Sequence, residues 1–415
     1  MKKALLTMLL ATALIRSSAA PVTDTVSIAA SYANQVWYSL ENDEQGTAPK
    51  NNWDIAFDAS GYGSSVMINS VTGTMVWKYP GSDTAGWSSV DTTGMDIWDA
   101  HWNSDTSWTG AIGNYPDAND PYNLDWGVYN MTTHIVTGDS IYIVKLANGD
   151  YKKLCIISLA SNVYTFKYAD LDGSNEQLQT LDKTAYNSKN FAYYSIQNDA
   201  VLDREPASAD WDLVFTQHTA FIPSAYTVTG VLANEGTEIA KVSDVPDKDT
   251  YTDYNSATFS TKINTIGYNW KSFNGTGYDI QDSLLYFVKT AGGDIWKVIF
   301  TGFGGSADGN YIFSKEKLYT ATSVHGLGAI KVAAAVYPNP ASGQDVTIAY
   351  SFASPVSNAQ LNITGISGRT VCSTGLNSSS GLHLYKLPSH SLSQGIYVVT
   401  LSSAGGSVTQ KLIIQ

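Results

Sequence analysis

The chain has 415 residues, of which 43% are hydrophobic and only 15% charged, and its formal net charge is −13. That length suits roughly two to four domains, and that much apolar and aromatic material excludes wholesale disorder. The acidic balance removes the main electrostatic term for binding nucleic acid or an anionic lipid surface, so neither is expected as a partner.

In chain order, Lys2 and Lys3 precede an apolar run from Ala4 to Ile15, followed by Arg16, Ser17, Ser18, Ala19 and Ala20. Basic, apolar and small residues in that order predict a signal peptide over residues 1–20 and a secreted protein. The run is shorter than the roughly 20 residues a helical span needs, and no later stretch is apolar enough, so no transmembrane segment is expected. With no Cys at the cut site, a lipid anchor there is not expected either.

Residues 25–325 read as an internal duplication. Tyr38-Ser39-Leu40, Asn42-Asp43 and Trp53-Asp54-Ile55-Ala56-Phe57 return as Tyr194-Ser195-Ile196, Asn198-Asp199 and Trp211-Asp212-Leu213-Val214-Phe215. Trp126, Tyr129 and Asn130 answer to Trp270, Phe273 and Asn274. Asp139-Ser140, Tyr142, Val144-Lys145 and Gly149-Asp150 answer to Asp282-Ser283, Tyr286, Val288-Lys289 and Gly293-Asp294. The repeat defines a first unit over residues 25–185 and a second over 186–325.

The blocks read as strands. Ile141–Val144 and Leu284–Val288 are short runs of β-branched, aromatic and aliphatic residues. Asn148-Gly149-Asp150 and Gly292-Gly293-Asp294 supply hairpin turns, and strands resume at Leu154–Leu159 and Val298–Phe303. In Trp53-Asp54 and Trp211-Asp212 the ring is expected to pack inward while the acid caps a turn or faces water. The first unit alone holds a long insertion, from Trp77 to Trp126, rich in Trp, Tyr, Gly, Asp and Asn. Long loops in compact domains are usually functional or disordered, and the aromatics argue against disorder. Trp98, Trp102 and Trp108 are therefore ligand-stacking candidates; the competing expectation is that the insertion's aromatics close a small core.

Composition changes near residue 336. Residues 326–336 read as a linker, and from Tyr337 to Gln415 only Asp345, Arg369, Lys386 and Lys411 are charged. Alternation through Val346, Ile348 and Tyr350, then Leu361 and Ile363, predicts a small β domain. The two cysteines, Cys155 and Cys372, fall in different domains, so no disulfide framework is expected, and Cys155 reads as a buried thiol in a strand.

Two resemblances follow. Tyr337-Pro338-Asn339-Pro340, Gly368-Arg369, Gly395-Ile396-Tyr397 and Lys411-Leu412-Ile413-Ile414 resemble the type A sorting domain of type IX secretion, over residues 337–415. That implies an Ig-like β-sandwich, contact with the type IX machinery, and delivery to the outer-membrane surface or the medium. Trp211-Asp212-Leu213-Val214-Phe215, Val228-Thr229-Gly230-Val231-Leu232, Ile266-Gly267-Tyr268 and Phe300-Thr301-Gly302-Phe303 resemble the HmuY-like family of Bacteroidetes surface proteins. The first unit resembles a diverged relative through Trp53-Asp54-Ile55-Ala56-Phe57 and Tyr164–Gly173. The fold class expected is thus all-β: two HmuY-like units and a sandwich.

The HmuY-like resemblance implies haem capture with two axial side chains, and its matching residues are core and turn residues rather than ligands. Residues 25–325 hold His101, His134, His218 and His325. Haem iron accepts imidazole, and His134 and His218 are the axial candidates, although either also suits a turn or surface. Methionines such as Met67 are possible thioether donors, more often core filler. No zinc-type spacing stands out, Asp170–Glu176 lacks the EF-hand pattern, and no Gly-x-Ser-x-Gly or His-Glu-x-x-His occurs. The expectation is a non-catalytic surface protein without a metal site that captures haem or, alternatively, binds glycan or protein through its Trp-rich insertion.

Overall fold

The computed structural model describes residues 20–61, 63–117, 119–321, 332–352, 355–365, 369–388, 391–403 and 406–415. The expected signal peptide falls outside them apart from Ala20. The chain divides into two compact units, Met1–Ala321 and Thr322–Gln415. Both are built from antiparallel β-strands, and the described helical turns are all short 3-10 segments.

The larger unit has two main cores. The first gathers Ile55, Phe57, Val76, Tyr142, Tyr164 and Phe166 with Tyr194 and Ile196. It belongs to an eight-stranded and a four-stranded sheet. The second gathers Val26, Val36 and Tyr38 with Phe215, Val298 and Phe313. It belongs to a five-stranded and a four-stranded sheet. We call these the first and second halves. Strand Tyr142–Lys145 pairs with Tyr151–Ala160, and Leu285–Lys289 with Ile295–Phe303. The intervening turns place Gly149 at φ 94° and Gly293 at φ 91°, where a side chain would be strained.

The halves do not follow the 185/186 division of the sequence. Strand Asn34–Ser39, from the beginning of the chain, pairs with Leu213–Phe221 in the second half, Tyr38 facing Leu213. Strand Phe191–Ser195 pairs with Ile55–Asp58 in the first half, Tyr194 facing Ile55. The strand before each goes with it: Val22–Ser27 pairs with Asn310–Tyr319, and Gln177–Asp182 with Val163–Asp170. The first half is thus nearly continuous in sequence, and the second is closed by the chain's first twenty or so described residues. The sequence motifs do not say which body a strand joins, because the Tyr-Ser-Leu and Tyr-Ser-Ile strands offer either Trp-Asp strand the same backbone ladder.

The two aspartates pin these junctions. Asp54 is 1% exposed and accepts from Ser195 Oγ (3.1 Å), Gln197 N–H (3.1 Å) and Gln197 Nε2 (2.7 Å). Asp212 accepts from Leu40 N–H (2.8 Å). Their own amides donate to the Tyr194 and Tyr38 carbonyls. The acids therefore cap the turn after each partner strand, and Asp54 is buried rather than water-facing.

The smaller unit is a three-stranded sheet and a four-stranded sheet around Val346, Ile348, Leu361, Ile363, Val399 and Leu412. Val346–Phe352 alternates buried and half-buried residues along its length, as one face toward a core requires. Its first described strand is Val332–Tyr337, paired with Val346–Phe352, so the expected linker is strand over 332–336 and otherwise outside the described residues.

Candidate ligand-binding cleft

A cleft of about 730 Å³, much of it open to solvent, lies between the two halves of the larger unit. The first half contributes Trp53, Met67 and Asn69, the Trp-rich insertion contributes Asp105 and Trp108, and the second half contributes His218. The strand ends build this lining. Immediately after Val66–Ile68, Asn69 turns the chain into a 3-10 segment, Ser70–Thr72. Its Nδ2 group donates to the carbonyls of Lys50 (2.8 Å) and Trp53 (2.9 Å), tying the turn to the Trp-Asp strand. Asn69 is 1% exposed, and its Oδ1 has no hydrogen-bond partner.

His218 stands on Leu213–Phe221, facing Val228 of the neighbouring strand. Gly230 gives the ring room: a Cβ there would lie 3.0 Å from His218 Cε1 and 2.3 Å from the Gly267 carbonyl oxygen. The imidazole is 9% exposed, and its Nδ1 also lacks a partner. Burial, with the Lys271 ammonium as the lesser cause, lowers its pKa to about 4, so the ring is neutral at physiological pH. Lys271 is itself lowered to about 7 by burial. It donates to the Thr229 carbonyl (2.7 Å) and lies 4.4 Å from the ring centroids of Trp270 and Phe303.

Behind the cleft, the Arg204 guanidinium lies 5.4, 5.7 and 4.8 Å from the ring centroids of Trp37, Trp53 and Tyr193. Glu205 accepts from Asn190 N–H and Tyr193 Oη, both at 2.9 Å. Burial pushes the Glu205 carboxyl up to about 7 despite these donors.

Several tryptophans of the insertion are anchored. Trp77 and Trp126 are buried, and Trp126 Nε1 donates to the Ser64 carbonyl. Trp87 lies 4.9 and 4.2 Å from the ammonium groups of Lys153 and Lys167, and its Nε1 donates to Glu176 (2.6 Å). Trp98 packs on Tyr79 at 5.8 Å, and Trp102 is half-buried. Trp108 reaches across to the second half: Nε1 donates to the Ala233 carbonyl (3.0 Å), and the ring meets Trp211 edge-on at 6.3 Å.

Of the expected site residues, the cleft therefore brings together His218 and Trp108. Trp98 and Trp102 lie elsewhere in the insertion. His134 is exposed in the turn between Gly127–Asn130 and Ile135–Gly138, with Nδ1 2.7 Å from Tyr129 Oη, and does not line the cleft. His101 sits 3.8 Å from Asp125, and His325 lies outside the described residues. Asn69 and Asp105 were not legible as site residues, because Asn and Asp are common in turns and nothing local separates a lining residue from a capping one. Among the described residues, no group of three or more His, Cys, Asp or Glu side chains is placed to hold a metal ion.

Residues 335–415 match the family described as the secretion system C-terminal sorting domain. No curated protein matches the chain. The tail marks a protein exported by type IX secretion to the cell surface or the extracellular space. Among the described residues, no helix is long and apolar enough to cross a membrane.

Proposed function

We propose that the secreted protein is a non-catalytic binder, built from two copies of one HmuY-like unit, that captures a small ligand in the cleft between its halves. One observation carries this reading: two almost fully buried side chains at the cleft, Asn69 and His218, each keep a polar atom without a partner. Buried polar atoms are rarely left unpaired, and each such atom costs about 1–3 kcal/mol until something satisfies it. Concave sites with aromatic walls and a few convergent polar groups are where small ligands bind. The duplication is supported by the matching roles of Asp54 and Asp212 and by the matched strand pairings of the two halves.

Haem is the ligand that the HmuY-like resemblance implies. His218 offers a neutral imidazole from the second half, and Met67 a thioether from the first. The other expected axial residue, His134, is outside the cleft. The cleft therefore does not bring together the two histidines expected as axial ligands, and no step is derived through haem.

The test is titration of the secreted protein with haemin and with a saccharide panel, read by calorimetry and absorbance. Ser70→Phe, which fills the cleft, serves as the control. A bound probe recovered unchanged, with affinity at least tenfold weaker in the folded S70F variant, is expected. Binding that survives S70F, or conversion of the probe to product, overturns the proposal.

A further inference from the structure

The structure holds an internal comparison for the unpaired oxygen of Asn69. Asn234 in the second half makes the same bonds through its Nδ2 group, donating to the carbonyls of Ser208 (2.7 Å) and Trp211 (2.7 Å). Asn69 donates to those of Lys50 and Trp53. In both, two carbonyls fix the amide with its nitrogen toward the Trp-Asp strand and its oxygen away from it. Flipping either amide would set oxygen against oxygen. At Asn234 the oxygen is satisfied: Asn190 Nδ2 donates at 2.8 Å and Glu235 N–H at 2.7 Å. At Asn69 no donor arrives, and the residue lines the cleft.

Resting on the capture reading above, we propose that the cleft seats a neutral hydroxylated ring, a saccharide, with one ligand hydroxyl donating to Asn69 Oδ1 in the place that Asn190 fills at Asn234. The other open groups agree. His218 Nδ1 is unpartnered, and a hydroxyl satisfies that nitrogen in either tautomer because it both donates and accepts. Asp105 lines the same cleft with a carboxylate that accepts. The cation of the lining is engaged, Lys50 donating to Gln217 Oε1 (2.5 Å); Arg204, which does not line the cleft, donates to Gln35 Oε1 (3.3 Å) and the Pro49 carbonyl (2.8 Å) and keeps an unpartnered Nε. The open positions are thus rich in acceptors, which suits a ligand carrying many O–H donors and disfavours one held through its own carboxylates. Trp53 and Trp108 supply flat apolar surface for the ring's C–H face. Lys50 and the Arg204 guanidinium beside Trp53 and Tyr193 weigh against a cationic ligand.

The experiment compares Asn69→Ala with Asn234→Ala in the full secreted chain. Both substitutions remove the same pair of carbonyl bonds, so both lower thermal stability, but only Asn69 lines the cleft and keeps an oxygen without a partner. A glycan array followed by calorimetric titration is expected to find a binding saccharide, with affinity about tenfold or more weaker in N69A and unchanged in N234A. Asp105→Asn, which leaves the Asn69 bonds intact, is expected to weaken binding as well. Equal losses in N69A and N234A, or no saccharide bound at all, overturn the inference. If haemin instead gives a Soret shift that Ser70→Phe abolishes, the saccharide is excluded while capture in the cleft stands. If no probe of either class binds, both readings fall.

Discussion

The first and second halves of the larger unit use the same joint and differ in what surrounds it. In each, a Trp-Asp strand receives a Tyr-Ser strand from elsewhere in the chain, and the aspartate caps the turn that follows. In each, an asparagine at the end of a paired strand ties itself to the carbonyl of that Trp. The first half adds the insertion, whose Trp108 crosses to Ala233, and leaves its asparagine oxygen without a partner. The second half adds His218 and closes its asparagine oxygen with Asn190. The lesson is that a shared scaffold carries stability while departures from the match mark the candidate site.

The largest effect expected to break this comparison is deletion of residues 22–40. The second half would lose Val26, Ile28, Val36, Tyr38 and Leu40 from its core, whereas every core residue of the first half remains. Large core truncations cost about 2–5 kcal/mol each, so five together exceed the stability of a typical domain. Hydrogen exchange should then show protection kept in Tyr142–Lys145 and lost in Leu285–Lys289. Equal protection in both strands would show that the chain's first segment does not close the second half.

A smaller effect separates the two aspartates. Asp54→Ala strands three donors in a buried site and is expected to cost about 3 kcal/mol in chemical denaturation, against about 2 kcal/mol for Asp212→Ala. A larger loss at Asp212 would reverse the ranking.

The smallest effect concerns pH, and the two halves respond with opposite sign. The Glu205 carboxyl is raised from 4.5 to about 7 in the folded protein. Its contribution is therefore full below pH 4.5 and is lost as pH rises through 7. The His218 ring is lowered from 6.5 to about 4. Its contribution is full above pH 6.5 and is lost as pH falls through 4. Glu205→Gln should flatten the decline between pH 4.5 and 7 by on the order of 3 kcal/mol, while His218→Gln flattens the fall in stability as pH drops from 6.5 to 4. Denaturation midpoints measured across pH check both, and an unchanged decline between pH 4.5 and 7 in E205Q would remove Glu205 from the account.

Much of the framework was legible in residues alone. Alternating β-branched and aromatic runs separated by Asn-Gly-Asp and Gly-Gly-Asp could close only as hairpins, and Tyr151–Ala160 and Ile295–Phe303 follow them. The site was less legible. His218 was visible as one of few imidazoles, and Trp108 as one of several tryptophans, but nothing in the sequence distinguished Trp108, which lines the cleft, from Trp98, which packs on Tyr79. Asn69 looked like any turn asparagine, because its significance is a missing partner, and an absent partner has no local signature.

By itself the sequence determined the strand-built class and the export tail. These depend on side-chain alternation, turn chemistry and short motifs, which act between near neighbours. The tertiary structure alone decided which strand joins which body and where the cleft opens. Backbone ladders are indifferent to which chemically equivalent strand they accept. That choice, and with it the meeting of Asn69 and His218, is made only when the whole chain packs.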